Sequence, residues 1–412
     1  MKLLACLGVA LALWLACAPA SAATRAPDRV SVLTMGPGDH PFARFGHNAL
    51  LLEWDAERRA LVYNFGTFAF DGAQGVRDFM AGRFRYWLSV SSLSRTLRAY
   101  AAQNRSLVAQ ELELDASERQ RLAEALALNA RPEHRFYDYD YYYDNCSTRV
   151  RDAVDRVLGG ALSRAVSGPG RLSFREHTER LTADAFWLYF GLDLALGPLT
   201  DRPTRRWDEL FVPSELEASL ASSTRVRAGV TLPLVRSTRT LLTADRAPLR
   251  RDPPSRVAGF LLAGVALGGV LALLGRLGAR RRGLRVAFAA LTAGFALLLG
   301  LLGSVFAVFW AFTKHWAAFR NVNLLVCTPW ALALVVSVWG LIDERPRRAK
   351  LSRQLIALSA ASSALALVLA LIPGFGQDNT RTAALFAPLW FGLWWGSRAP
   401  AAPPLTASRS RS

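Results

Sequence analysis

The hydrophobic pattern changes character twice along the chain. From residue 29 to residue 92, short apolar stretches alternate with polar turns, the signature of extended strands. "RVSVLTMG" (29–36) alternates, and "HNALLLEW" (47–54) is an apolar strand. "ALVYNFGTF" (60–68) follows the charged turn "DAERR", so the last two predict a hairpin. "RFRYWLSVSS" (83–92) reads as a further strand, rich in the aromatic and β-branched residues that suit a pleated surface. At "DASERQRLAEALALNA" (115–130) the spacing becomes helical, with Asp115 and Glu118 placed to cap the helix start. "YDYDYYYDNC" (137–146) alternates tyrosine with aspartate, then gives way to "STRVRDAVDRVLGG", a helix ended by Gly159 and Gly160. Together these elements predict an α+β domain, a small antiparallel sheet with helices on one side. Residues 166–256 read as a mostly helical extension in which Pro213, Pro248 and "RDPP" (251–254) mark a linker.

Beyond residue 257 the polar half of the pattern disappears. Apolar runs cover 257–275, 286–312, 324–342 and 355–372, with a shorter aromatic one at 383–396. About 20 apolar residues cross ~30 Å of hydrocarbon as a helix, so the first four predict membrane spans and the fifth is borderline. The loops "RLGARRRGLR" (276–285) and "DERPRRAKLSR" (343–353) each carry five Lys/Arg, whereas "TKHWAAFRNVN" (313–323) and "GFGQDNTR" (374–381) carry two and one. The positive-inside rule therefore puts the rich loops in the cytoplasm and residues 24–256 outside. The start of the chain agrees. "MKLLACLGVALALWLACAPASAA" has one basic residue, an apolar run and an Ala20-Ser21-Ala22 cleavage site, which reads as a secretory signal peptide. A lipidated start at Cys17 is the alternative, though Trp14 fits it poorly. The expected organisation is a signal peptide (1–23), an exported domain (24–165), a helical extension and linker (166–256), about five membrane helices (257–396) and a cytoplasmic tail (397–412).

This topology explains part of the formal charge of +18, nearly all of it arginine because only Lys2, Lys314 and Lys350 are lysines. A basic exported domain beside a bilayer attracts anionic headgroups, so a membrane partner is expected. Nucleic acid is not expected, since no recognition motif is present.

Candidate chemistry is scarce. The chain has four cysteines, two of them in the signal segment, and Cys327 falls within the third apolar run. Cys146 is then a lone exported thiol without a disulfide partner. It reads as an inert buried residue or as a nucleophile, and the absence of nearby Cys or His ligands argues against a metal. Asn145-Cys146 lies where the Tyr/Asp stretch meets a helix, and backbone N–H groups at a helix start favour thiolate and can hold an oxyanion. Arg149 and Arg151 add positive charge nearby. Of five histidines, His40, His134 and His177 sit in polar stretches and are expected at the surface, and His315 lies on a membrane-domain loop. His47 instead opens an apolar strand directly after Gly46, where a glycine leaves room for close approach by another element. A cysteine at a helix start with a histidine on a strand is the pairing of papain-like hydrolases and acyltransferases.

The ordered segments "GHNALLLEW…YNFGTFAFD", "FMAGRFRYWLSV", "FYDYDYYYDNCSTRVRD", "SFREHTERL" and "WLYFGLDLALGPLTDRPTRRWDELFVPSEL", followed by a polytopic region, resemble the Lnb-type lipoprotein N-acyltransferase family. That family is similar to the permuted branch of the NlpC/P60 papain-like superfamily, in which the histidine strand precedes the cysteine helix, as His47 precedes Cys146 here. The resemblance implies a papain-like periplasmic domain followed by an all-α transmembrane domain in the bacterial inner membrane. It further implies acyl transfer from a phospholipid through Cys146 to a diacylglyceryl lipoprotein, with His47 as base and no cofactor. Asn64 in "VYNFG" is the candidate to orient the imidazole, with Asp144 and Asn145 as alternatives. Asn145, Asp144, Arg149 and Arg320 are expected around the substrate. Two other readings stay open at this point: a membrane-anchored hydrolase using the same pair, and a non-enzymatic lipid-binding envelope protein.

Overall fold

The computed structural model describes residues 25–69, 72–343 and 345–398. The segment expected to be a signal peptide and nearly all of the 397–412 tail lie outside the described residues. In the exported part, strands β1 (Arg29–Met35), β2 (His47–Trp54), β3 (Arg59–Thr67), β4 (Arg85–Ser92), β5 (Leu107–Leu112) and β6 (Phe136–Asp138) are followed by β7 (Thr224–Arg227), β8 (Val230–Pro233) and β9 (Val235–Leu242). Seven of them form one sheet in the order β6-β4-β3-β2-β1-β5-β9, with every neighbouring pair antiparallel. The predicted β2–β3 hairpin is present, pairing Leu50 with Tyr63 and Glu53 with Ala60.

Helices α1 (Gly72–Met80), α2 (Leu93–Ala102), α3 (Ala116–Asn129) and α4 (Cys146–Val157) surround this sheet. α3 opens on a capping box formed by Asp115 and Glu118, as the sequence predicts. The helices do not all lie on one side. α3 and α4 bury Leu122, Leu126, Val150 and Val154 against Val30, Val32, Leu50 and Leu52. α2 covers the opposite face, laying Leu93, Leu97 and Tyr100 over Leu33, Met35, Leu51 and Val62. β1 and β2 are buried on both faces, so a single layer of helices leaves half of their apolar side chains in water.

The extension also departs from expectation. It contains helices α5 (Ala161–Ala165), α6 (Phe174–Thr182), α7 (Phe186–Ala195), α8 (Arg206–Glu209) and α9 (Pro213–Ser222), but its end returns as β9 to pair with β5. The sheet is thus completed from beyond residue 165, and a boundary at that point cuts through its edge. His177, expected at the surface, is fully buried. Its Nε2 is 2.9 Å from Glu209, and its Nδ1 accepts from the Arg180 guanidinium, so a polar-looking segment folds inward on a closed hydrogen-bond network.

The C-terminal part is helical: α10 (Val257–Gly278), α11 (Arg282–Phe312), α12 (Leu332–Ser337), α13 (Pro346–Ala370) and α14 (Thr380–Ser397). Among the described residues, four segments are long and apolar enough to cross a membrane: Val257–Gly278, Arg282–Phe312, Val322–Leu341 and Pro346–Ala370. The third is not a continuous helix. Short 3₁₀ turns at Val322–Leu325, Pro329–Ala331 and Val338–Leu341 flank α12, consistent with the N–H that Pro329 lacks. The borderline fifth run forms α14, buried along one side against α10. A Cβ on Gly268 would come within 2.3 Å of the Pro388 carbonyl oxygen, so these two helices meet backbone to backbone.

Candidate active site

The site begins with two turns of backbone. Gly46 has φ +84°, and a Cβ there would meet the Met35 carbonyl oxygen at 2.9 Å, so only glycine turns the chain into β2 at this point. His47 follows as the first residue of β2, opposite Met35 of β1. On the other side of the site, Asn145 caps α4. Its side-chain oxygen accepts the N–H groups of Ser147 and Thr148 at 2.9 Å, and the Asn145 N–H donates to the Thr148 hydroxyl at 2.8 Å. The first helical residue is therefore Cys146, its side chain buried.

The two elements meet at a break in the sheet. The β3–β4 register shifts between Asn64 and Thr67, a bulge that contains Gly66 at φ +87°. A Cβ built on Gly66 would lie 3.4 Å from the Cys146 Cβ, 3.6 Å from the Tyr139 ring and 4.0 Å from His47 Cε1. Cysteine and histidine thus converge on one point that carries no side chain of its own. Asn64 stands at the start of the bulge. Its Nδ2 reaches the Val62 carbonyl and the Ser91 hydroxyl, both at 3.4 Å, and its side chain also hydrogen-bonds the His47 imidazole. Ser91 is held in turn by Thr96 at 2.9 Å.

Burial sets the protonation states. It pushes His47 down to about 4, helped by the Arg105 cation and opposed by the Asn64 hydrogen bond. Burial also pushes the Cys146 thiol up, against the backbone N–H groups of Asn48, Ser147 and Cys146 itself and against Arg105. The expectation that the helix start leaves a thiolate is therefore reversed. The N–H groups act in that direction, but desolvation outweighs them, and the resting pair is neutral thiol beside neutral imidazole. Aromatic rings pack beside the site: Tyr139 stacks on Tyr86 at 4.1 Å, is tilted against Tyr137 and meets Tyr141 edge-on. A cavity of about 700 Å³ opens on the His47 side of the pair, lined by His47, Asn64, Gly66, Phe68, Tyr100 and Arg105 among others; Cys146 lies against its Gly66 wall and not in the lining itself.

The residues expected around a substrate are placed differently. Asn145 spends both donors on the carbonyls of Tyr141 and Phe211, each at 2.9 Å, so its polar atoms are committed to the helix start. Asp144 and Arg149 pair with each other at 2.6 and 2.7 Å, with Arg149 over the Tyr137 ring. Arg151 turns away to the Trp207 carbonyl at 2.9 Å. Arg320 adopts φ +56° on the loop after α11, whose neighbouring Asn321 is bonded to the Leu194 and Ala195 carbonyls rather than to the Cys146 helix. A different part of that loop reaches the site: Trp316 donates to Asp140 and packs on Tyr142 and Tyr143, while His315 bonds the Phe79 carbonyl and packs on Phe84. Sequence reading missed Gly66 and Arg105. A glycine inside the apolar strand "VYNFGTF" was a usable signal for the first, and the second carries none in the local sequence. Among the described residues, no cluster of three or more His, Cys, Asp or Glu could hold a metal.

Sheet, cysteine helix and apolar helices together define a membrane protein whose N-terminal α/β domain carries a cysteine–histidine pair beside a cavity. Residues 19–180 match the Lnb N-terminal periplasmic domain and residues 261–390 the Lnb transmembrane domain, so the chain belongs to the Lnb family and its N-terminal domain is periplasmic. No match to this chain was found among curated proteins or among solved structures.

Proposed function

We propose that the protein is a multi-pass inner-membrane cysteine acyltransferase that N-acylates diacylglyceryl lipoproteins with a chain taken from phospholipid. The observation that carries this reading is the convergence of Cys146, His47 and Asn64 at the Gly66 bulge, in the histidine-strand-before-cysteine-helix order of permuted papain-like enzymes.

In the first half-reaction, His47 takes the Cys146 proton as the sulfur attacks an ester carbonyl of the donor. The oxyanion is held by backbone N–H groups beside the sulfur, those of Asn48 on β2 and of Cys146 itself at the start of α4, since the Ser147 N–H is taken by the Asn145 cap. The tetrahedral intermediate collapses to a thioester, and the departing alkoxide takes the proton from His47 and leaves as lysophospholipid. In the second, the lipoprotein α-amine attacks the thioester, His47 accepts its proton, and the thiolate leaves and is reprotonated. Asn64 holds the imidazole in register and stabilises its cation during both halves. Burial of Cys146, which is 8% exposed, restricts water, which supports an amine as acceptor over hydrolysis by the same pair. Membrane helices carrying the Trp316 loop keep this site at the bilayer surface.

The test is conversion of diacylated to triacylated lipoprotein by purified protein in detergent. Wild type should form an acyl-enzyme on Cys146 detectable by mass spectrometry. Cys146→Ala should abolish transfer and remain folded and inserted. Transfer that survives in the alanine variant sinks the proposal, and free fatty acid without N-acylated product identifies a hydrolase instead.

A further inference from the structure

The cavity beside His47 contains a buried cation with no carboxylate of its own: Asp39, which also lines the cavity, is taken by Arg246. Arg105 stands between α2 and β5 and is only 5% exposed. Its guanidinium is held in place: the plane lies 4.6 Å over the Tyr100 ring and Nε donates to the Gly36 carbonyl at 2.8 Å. One terminal nitrogen, Nη2, is buried without a partner. The groups that favour its charge are Tyr100 and Cys146, with no carboxylate among them. Burial pushes Tyr100 up to about 12 and Cys146 upward as well, so both are neutral at pH 7 and neither supplies a counter-ion. Arginine is almost never buried unpaired, because removing its charge from water costs several kcal/mol that an anion must offset. The other buried arginines here follow that rule: Arg175 pairs with Asp193 and Asp201, Arg225 with Glu118, and Arg381 with Asp193 and Asp378.

We propose that Arg105 is the anion-recognising residue of the donor pocket and that it binds the phosphodiester of a glycerophospholipid whose ester carbonyl lies at Cys146. This rests on the acyltransferase reading and names how its donor is selected. The guanidinium fork matches phosphate oxygens, and anchoring by Tyr100 and Gly36 orders it before the lipid arrives. The cavity has apolar rings of Phe42 and Phe68 in its wall beside the polar end formed by His47, Asn64 and Arg105, as a headgroup and glycerol ester require. A neutral diacylglycerol offers the same ester without the anion, so Arg105 separates the two as donors.

Binding is measured first on the full-length Cys146→Ala chain in dodecylmaltoside, where no turnover is needed. Dihexanoyl phosphatidylglycerol should bind at least tenfold more tightly than dihexanoylglycerol. Arg105→Gln should erase that difference, and Arg105→Lys, which keeps the cation, should restore part of it. With Cys146 intact, Arg105→Gln should lower the ratio of kcat/KM for phospholipid over diacylglycerol donor at least tenfold. Equal binding of the two lipids by the Arg105-intact chain, or a loss in Arg105→Gln that is the same for both, overturns the proposal. Inorganic phosphate that binds as tightly as the phospholipid also overturns it, since the site then serves a free anion. Absence of transfer with selective lipid binding intact would count against the acyltransferase reading and leave the Arg105 site standing.

Discussion

At the scale of single residues, the chemistry depends on which of two opposing effects wins at Cys146 and His47. Backbone N–H groups and Arg105 pull the thiol toward ionisation, burial pushes it back, and burial prevails. The same burial keeps His47 neutral down to about pH 4, so it is available as a proton acceptor over the whole physiological range. The pH profile of kcat/KM should therefore show its acid limb near pH 4, well below the 6.5 of an ordinary imidazole. Asn64→Ala should lower kcat by about 10- to 100-fold through lost orientation. It should also move that limb to lower pH, because the Asn64 hydrogen bond raises the His47 pKa and its removal lowers it further. A limb that stays in place in the variant would show that Asn64 does not touch the imidazole. Linkage gives a second readout. His47 binds its proton more weakly folded than unfolded, so its contribution to stability is complete above pH 6.5 and is lost as pH falls toward 4. The loss is about 3 kcal/mol, and His47→Gln should flatten that part of a melting-temperature-against-pH curve.

At the scale of elements, the bulge in β3 and the cap of α4 position the pair. Gly66 has a left-handed φ at the point where Cys146, Tyr139 and His47 meet, so Gly66→Ala should cost about 1–2 kcal/mol in backbone strain and shift the bulge on which the pair converges. Gly159, past the end of α4, is also left-handed at φ +62° but has open space around it. Gly159→Ala should cost similar stability by thermal melt while retaining kcat, whereas Gly66→Ala should lose at least tenfold. Much of this level was legible. The β2–β3 hairpin, the Asp115 capping box and the helix beginning at Cys146 all follow from local periodicity and cap chemistry. The β5–β9 pairing was not, because it joins Glu111 to Ser237 across more than a hundred residues and neither strand carries a local signal for the other. α2 was missed for a related reason. Its role is to cover the second face of β1 and β2, and that need exists only once those strands are in a sheet.

At the scale of the whole molecule, the periplasmic domain is tied to the membrane helices by buried charge. Arg381 of α14 meets Glu179 of α6 and Asp193 of α7, and Arg175 of α6 meets Asp193 at 3.1 Å and Asp201 at 2.7 Å. Burial pushes Glu179 up to about 8 despite these arginines. Removing the cation leaves Asp193 with Arg175 alone and Glu179 without a partner in a dry junction, so Arg381→Ala should destabilise the protein by about 3 kcal/mol in a detergent melt. Arg205→Ala, which breaks a mostly exposed pair with Asp208, should cost less than about 1 kcal/mol. If the two variants melt alike, the junction does not hold the domains together.

By itself, the sequence determined the elements and the candidate pair: alternation made the strands, apolar length made the membrane segments, and cysteine counting isolated Cys146. Only the tertiary structure decided the electrical state of the site. It made the thiol neutral, buried His177, committed Asn145 to a cap and left Arg105 without a counter-ion. Each of these depends on desolvation by side chains distant in sequence, and desolvation is a property of packing that no local pattern encodes.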